Sequence, residues 1–505
     1  MAALETQEKV SLPASDRRRS RRRRRRTGVG CFFEMVPMPV GIGQAKQEEL
    51  TMKKLLVVLL ALGLIAAFGM TASAADVKFA GQYYVNGIYE NNRTLQDEDS
   101  TYSKAFFWNR ARVQTVFQVA EGLSFTTRFD AFEKQWGAVN RSSNNTEDKS
   151  NSGKVNSTTV NLQENIEMEH AYVTFNTRVG QLQIGYQAAD EWGTVFGDTP
   201  GSRPRVKYTS AFGPVNLIAI YQKDFEADTI RLNAATGGGT PSQLVDGDQD
   251  KYMLAGIYNW KGGAAGLLYV YTNVASNRAA LNMRTQYHTL APYMKATFGP
   301  VYVEAELIYT GGKTRKYESP ATAPDMDKEG FGGYALARVK LGPAYVGGQF
   351  GYSSGDPNNT EKDKTGPASS TSWKPCLIFG EANLTLWHYG RALGIGNPNV
   401  PNAQNTTNNK QNLLLYQIHG GFNPTPKMNI EGALAYMTAD KKPNNFVSDK
   451  YGWEADIKAS YKIYDNLTYM VGAGYFSTGD YFKGTSDNNK VGNDYLLMNQ
   501  LTLNF

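Results

Sequence analysis

The chain has 505 residues, 12% aromatic and 20% charged, with 50 glycines, two cysteines and a formal net charge of +6. Two cysteines exclude a disulfide framework, and no C-x-x-C-H haem-attachment motif occurs. The positive charge is concentrated at the start: beyond residue 74 the balance falls to near −1, which removes the case for nucleic acid as a partner.

In chain order, residues 1–51 carry nine arginines between Arg17 and Arg26 and no periodic apolar pattern. No apolar segment directly follows the arginines, as a twin-arginine export signal requires, and Cys31 lacks the preceding apolar run of a lipid-attachment cysteine. This extension reads as a start assigned too early. Glu48-Glu49 can be encoded by a purine-rich, ribosome-binding sequence just ahead of Met52, where translation is expected to begin. Residues 52–74 then read as a secretory signal peptide: Met52-Lys53-Lys54, an apolar run over 55–68, and the small residues Ala72 and Ala74 before the cut. The apolar run is too short to cross a bilayer of about 30 Å. The expected mature chain is 75–505.

That chain is a succession of alternating segments. Phe79, Tyr83, Val85 and Tyr89 share one face of 77–89. Phe107, Ala111, Val113, Phe117 and Val119 alternate with Trp108, Arg110, Arg112, Gln114 and Gln118. After a tight turn, Leu123, Phe125, Thr127, Phe129 and Ala131 alternate with Ser124, Thr126, Arg128 and Asp130. The pattern returns over 301–309 and 453–463. Period two is the period of a strand, and these lengths suit strands tilted across a membrane. A polar overall composition is expected of such a barrel, because its strands show lipid only every second residue.

Short turns are predicted at 120–122, 176–180, 212–214, 260–264, 298–300, 341–343, 423–426 and 464–466, three of them built on Gly-Pro. Long Asn-, Ser-, Thr-, Asp- and Gly-rich segments such as 135–163 and 225–250 lie between them. Eight short turns, with both chain ends on the same side, predict 18 strands. Sixteen is the alternative, because 353–412 reads either as one folded-in loop or as an extra hairpin containing 377–389. The fold class is therefore an all-β, antiparallel, up-and-down transmembrane β-barrel. A barrel of either size is too wide for side chains to fill, so a water-lined interior is expected.

The chain ends on YLLMNQLTLNF. Tyr495, Leu497, Leu501, Leu503 and Phe505 fall on one face, with Asn499 the polar exception. This ending resembles the terminal strand of bacterial outer-membrane β-barrels, which the barrel-assembly machinery reads. The whole of 75–505, and locally AYVTFNTRVGQLQIGYQ (171–187) with EWGTVFGD (191–198), resembles the bacterial porins and, more loosely, the alginate-export and substrate-specific channels. The resemblance implies homotrimers, an inward-folded constricting loop, surroundings of outer-membrane lipid and lipopolysaccharide, and passive diffusion of small solutes.

Alternation assigns Arg110, Arg112, Arg128, Asp130, Glu304, Glu306, Arg338, Lys340, Glu454, Asp456 and Lys458 to the lumen, with the three arginines of one hairpin as a basic wall. Both signs occur, so weak ion selectivity is expected. Asp246, Asp248 and Asp250 alternate as carboxylates can around Ca²⁺, but the rest of a twelve-residue loop is missing. His170, His288, His388 and His419 have no metal-ligand spacing; the first two are expected on strands, at lumen or rim. Cys376 is expected to pack without catalysis. No enzyme signature, cofactor motif or metal motif is found. Three function classes remain: a diffusion channel, general or substrate-specific; a barrel that sheathes an exported partner or acts as an adhesin; and an enzyme, the least supported.

Overall fold

The computed structural model describes residues 76–92, 95, 103–136, 166–232, 241–318, 324–356, 362–367, 372–379 and 410–505. The expected extension at 1–51, the signal segment with Ala72 and Ala74, and His388 lie outside the described residues.

Eighteen long antiparallel strands follow one another around a closed sheet. They are β1 (Asp76–Glu90), β2 (Lys104–Ala120), β3 (Leu123–Gln135), β4 (Glu167–Thr177), β5 (Gly180–Ala189) and β6 (Gly201–Phe212). Next come β7 (Val215–Phe225), β8 (Gln249–Trp260), β9 (Gly263–Val274), β10 (Met283–Phe298), β11 (Val301–Tyr317) and β12 (Met326–Leu341). The circuit finishes with β13 (Ala344–Ser353), β14 (Leu413–Thr425), β15 (Met428–Thr438), β16 (Lys450–Tyr464), β17 (Leu467–Thr478) and β18 (Asp494–Asn504). Each strand pairs with its sequence neighbours, and β18 pairs with β1 from Gln82↔Asn504 to Glu90↔Leu496. Closure leaves the circuit no free edge, the one condition under which a sheet can stand in lipid.

All eight predicted short turns are present, each a two-residue connection. Gly213, Gly299 and Gly342 have φ of +59°, +59° and +64°, and the space a side chain would take there is open. The positive angle, rather than crowding, selects glycine, and the following proline fixes the second turn residue. The other connections, at the opposite end, are longer. The closed circuit counts 18 strands rather than 16; segment 372–379 contains no strand, and the rest of the hairpin candidate at 377–389 lies outside the described residues. An unforeseen hairpin (Asp228–Leu232 with Pro241–Asp246) stands outside the barrel sheet, and Lys362–Asp363 runs parallel beside β12.

The outer face is apolar in every sector. Phe79, Leu217, Leu254, Leu307, Ile418, Ile457 and Leu497 are among its exposed side chains. Aromatic rows edge this band. Towards the long-loop end Tyr221, Tyr252, Tyr271 and His288 follow one another with centroids 5.2–6.3 Å apart, and towards the short-turn end Tyr258 stacks on Trp260. On β16, Trp453 and Ile463 bound the band; ten residues at about 3.3 Å each, tilted by about 40°, give a height of about 25 Å. This matches a hydrocarbon core.

Tyr495, Leu497, Leu501, Leu503 and Phe505 take this outer face, opposite the inward Leu496, Met498, Gln500 and Thr502. Phe505 exchanges both main-chain hydrogen bonds with Gly81, at 2.7 and 3.0 Å, and its ring lies where a Gly81 side chain would be. The last residue thus completes the seam.

Candidate functional site

The interior holds a cavity of about 1260 Å³. Its basic wall comes from β2 and β3, whose alternation sends Arg110, Arg112, Arg128 and Asp130 inward. Arg112 forms a fork with Asp130 (Nε–Oδ1 2.7 Å, Nη2–Oδ2 2.6 Å). Arg110 lies over the Tyr84 ring and 3.3 Å from Glu133, and Arg128 reaches Glu169 at 3.4 Å. Asp130 is only 2% exposed, so its charge is held by the arginines rather than by water.

Nine strands around the circuit from β3, Arg338 of β12 lies over the Tyr345 ring. Tyr345 donates to Glu431, which also pairs with Lys458 at 2.6 Å. Altogether seven basic and seven acidic side chains line the cavity. The lining is thus balanced in formal charge.

Three further basic groups continue the wall on β6 and were absent from the expected set. Arg203 pairs with Asp224 at 3.4 Å, Arg205 donates to Gln222 and to the Ala188 carbonyl, and Lys207 follows two residues on. Their signal was the same alternation, in Arg203-Pro204-Arg205-Val206-Lys207, obscured by a proline inside a strand.

The remaining expected residues separate. Lys340 sits exposed beside a short turn, and Glu304 accepts from the Tyr302 and Tyr334 hydroxyls at 2.6 and 2.7 Å. Asp456 lines the cavity while Glu306 and Glu454 point inward but meet no open water; each is 1% exposed. They receive two segments that fold into the lumen.

The first is 190–200, containing EWGTVFGD. Thr194 donates through both its amide and its hydroxyl to Oε2 of Glu306, each at 2.7 Å. Gly193 and Gly197 permit this approach. A Cβ on Gly193 would lie 2.8 Å from Tyr293 and 3.0 Å from Oε2; one on Gly197 would lie 2.7 Å from Oε1. Trp192 donates to the Ala291 carbonyl and sets its ring edge-on to Tyr293. Asp198 accepts from the Trp192 amide at 2.5 Å, and burial pushes its carboxyl up to about 6. Arg203 and Lys251 hold Asp190 at the root.

The second is 372–379. The amides of Ile378 and Phe379 donate to Oε1 and Oε2 of Glu454 at 2.6 and 2.7 Å, and that of Leu377 to Asp456 at 3.2 Å. Phe379 enters an inward apolar cluster with Tyr451 and Phe476. The segments touch: Phe196 stacks on Tyr334 (5.5 Å, 6°) and meets Trp373 edge-on at 5.1 Å.

This is a closed, 18-stranded antiparallel β-barrel. No family model matches the chain, and no curated protein does. Solved structures of similar outline include three proteins of Pseudomonas aeruginosa, one of them the outer-membrane protein OpdK. OccK8 (OprE) is 12% identical with a TM-score of 0.47, covering 85% of this chain and 98% of its own. OccK2 (OpdF), solved with glucuronate, is 9% identical with a TM-score of 0.47, covering 85% and 97%. OpdK, solved with vanillate, is 11% identical with a TM-score of 0.45, covering 85% and 99%. The fold assignment rests on the strand pairing itself.

The other sequence candidates resolve as follows. The alternating aspartates take an internal cation: Lys223 pairs with Asp248 and with Asp250 (3.1 Å), while Asp246 accepts from the Asp248 amide. His170 is buried beside Arg128. His288, expected at lumen or rim, lies on the outer face with its Nδ1 2.7 Å from the Tyr269 hydroxyl. Cys376 is buried, and its thiol lies within 4.8 Å of carboxylate oxygens of Glu454 and Asp456. Such a trio suits a metal by composition, but three of the four oxygens already accept main-chain amides.

Proposed function

We propose that the protein is an outer-membrane channel through which small hydrophilic solutes and ions diffuse passively. The observation that carries this reading is the charge-balanced, polar cavity inside a closed barrel whose outer face is apolar. Opposed, mutually paired charges keep water in the lumen and disfavour neither ion strongly, which supports weak selectivity. The chain would be exported by the signal segment, cut after Ala74, and inserted by the barrel-assembly machinery among lipid and lipopolysaccharide, as a homotrimer. The short turns would then face the periplasm and the long connections the exterior.

A substrate-specific channel is the second reading, favoured by the narrowing that segments 190–200 and 372–379 produce together. Swelling of vesicles containing the protein separates the two. Rates that fall smoothly with solute size fit a general channel, and rates that saturate for one solute class fit a specific one. No swelling with any small solute contradicts both.

A further inference from the structure

Glu306 and Glu454 do similar work with one difference in detail. Both donors to Glu306 converge on one oxygen, whereas each Glu454 oxygen takes its own amide, from two consecutive residues. Asp456, two residues along the same strand face, takes the third consecutive amide. Three amides in a row aimed at two carboxylates form a specific seat for segment 372–379, because buried main-chain donors demand acceptors. The rest of the segment is tied on by further bonds. Trp373 donates to Gln349 at 2.9 Å, and Gln349 in turn donates to Gln417, which holds the Pro375 carbonyl. Trp373 also closes on Phe196, and the Ser372 amide donates to the Asp198 carbonyl at 3.3 Å.

We propose that Glu454, assisted by Asp456, is the positioning residue that latches segment 372–379 across the lumen. Through Trp373 and Phe196 it also steadies segment 190–200, so that one buried carboxylate governs the width left to solute. This rests on the channel reading for its consequence but not for the latch itself. The protein carries its own reporter. Cys376 lies inside the latched segment, 4% exposed, and burial pushes its thiol up, so it is unreactive while the latch holds.

The test measures modification of Cys376 by a charged methanethiosulfonate in the purified, vesicle-inserted chain, read by mass spectrometry of the peptide that contains it. The same preparations are recorded for conductance. In the unsubstituted protein, modification should be at least about a hundredfold slower than in the unfolded chain. Glu454→Gln sets an NH₂ group against one of the two amides, so modification should rise by at least about tenfold and conductance should increase. Phe196→Ala should raise conductance while Cys376 stays protected, because it cuts the ring contacts of segment 190–200 with Trp373 and Tyr334 and leaves the three amides on Glu454 and Asp456 in place. Glu454→Asp, which keeps the charge and shortens the reach, serves if the glutamine variant does not fold. A folded Glu454 variant with the original Cys376 rate overturns the latch. Freed Cys376 with unchanged conductance overturns the control of width. A protein that never conducts sinks the channel reading, while the thiol rates still decide the latch.

Discussion

Replacing Glu306 with alanine removes the acceptor for two donors at once. Thr194 is 1% exposed, so neither its amide nor its hydroxyl finds water while segment 190–200 stays in place. Each stranded donor costs about 1–3 kcal/mol, so docking weakens by about 2–6 kcal/mol. At about 1.4 kcal/mol per tenfold, the docked-to-undocked ratio falls by about 30-fold or more. Glutamine behaves differently. Because both donors converge on Oε2, the amide oxygen can take that place, with the NH₂ turned towards Gly197, and docking should stay within about tenfold of the original. Single-channel recording reads both variants: Glu306→Ala should populate a wider, noisier state and Glu306→Gln should not. An alanine variant indistinguishable from the parent, or a glutamine variant as disturbed as alanine, would refute the reasoning. At Glu454 glutamine should disturb as well, since it cannot serve two amides with two acceptors.

Asp130→Asn removes the shared partner of Arg110 and Arg112 from an evenly balanced lining, so the reversal potential under a salt gradient should move towards anion preference; no movement would mean these charges stand off the ion path. Burial holds the Asp198 carboxyl near 6, above the ordinary 3.8. The docked segment therefore keeps a proton that the released segment gives up. Its contribution to docking is complete below about pH 4 and is lost as pH rises through about 6. Current fluctuations should grow over that interval, and Asp198→Asn should flatten the part of the dependence due to this group. At the seam, Phe505→Ala keeps the main-chain pair with Gly81 and loses only a ring that is 60% exposed, so the unfolding temperature should drop slightly. Gly81→Val forces a branched side chain into that ring and should cost more; the opposite order would refute the packing account.

The barrel was legible because its rules are local. Alternation, Gly-Pro turns and the terminal strand each fit within a dozen residues, and lipid imposes them on every strand. The constriction was not, because its bonds join residues far apart in the chain: Thr194 to Glu306, and Ile378 to Glu454. In a strand that alternates, a glutamate seating a loop looks the same as one facing water. The inward apolar cluster was hidden for a similar reason. Leu413, Leu415, Met437, Tyr451 and Phe476 face inward near the long-loop end, where they pack in one cluster with Phe379, Phe446, Tyr481 and Phe482 rather than against water. The sequence Leu413-Leu414-Leu415-Tyr416 carries no alternation to reveal this.

The central claim is that the polar interior is a conducting path. Purified chain inserted into a planar bilayer, recorded as single channels with the reversal potential under a salt gradient, tests it most directly. Stable open steps with weak ion selectivity are expected. Silence from a correctly folded, inserted barrel would contradict the claim and mean that segments 190–200 and 372–379 seal the lumen rather than narrow it.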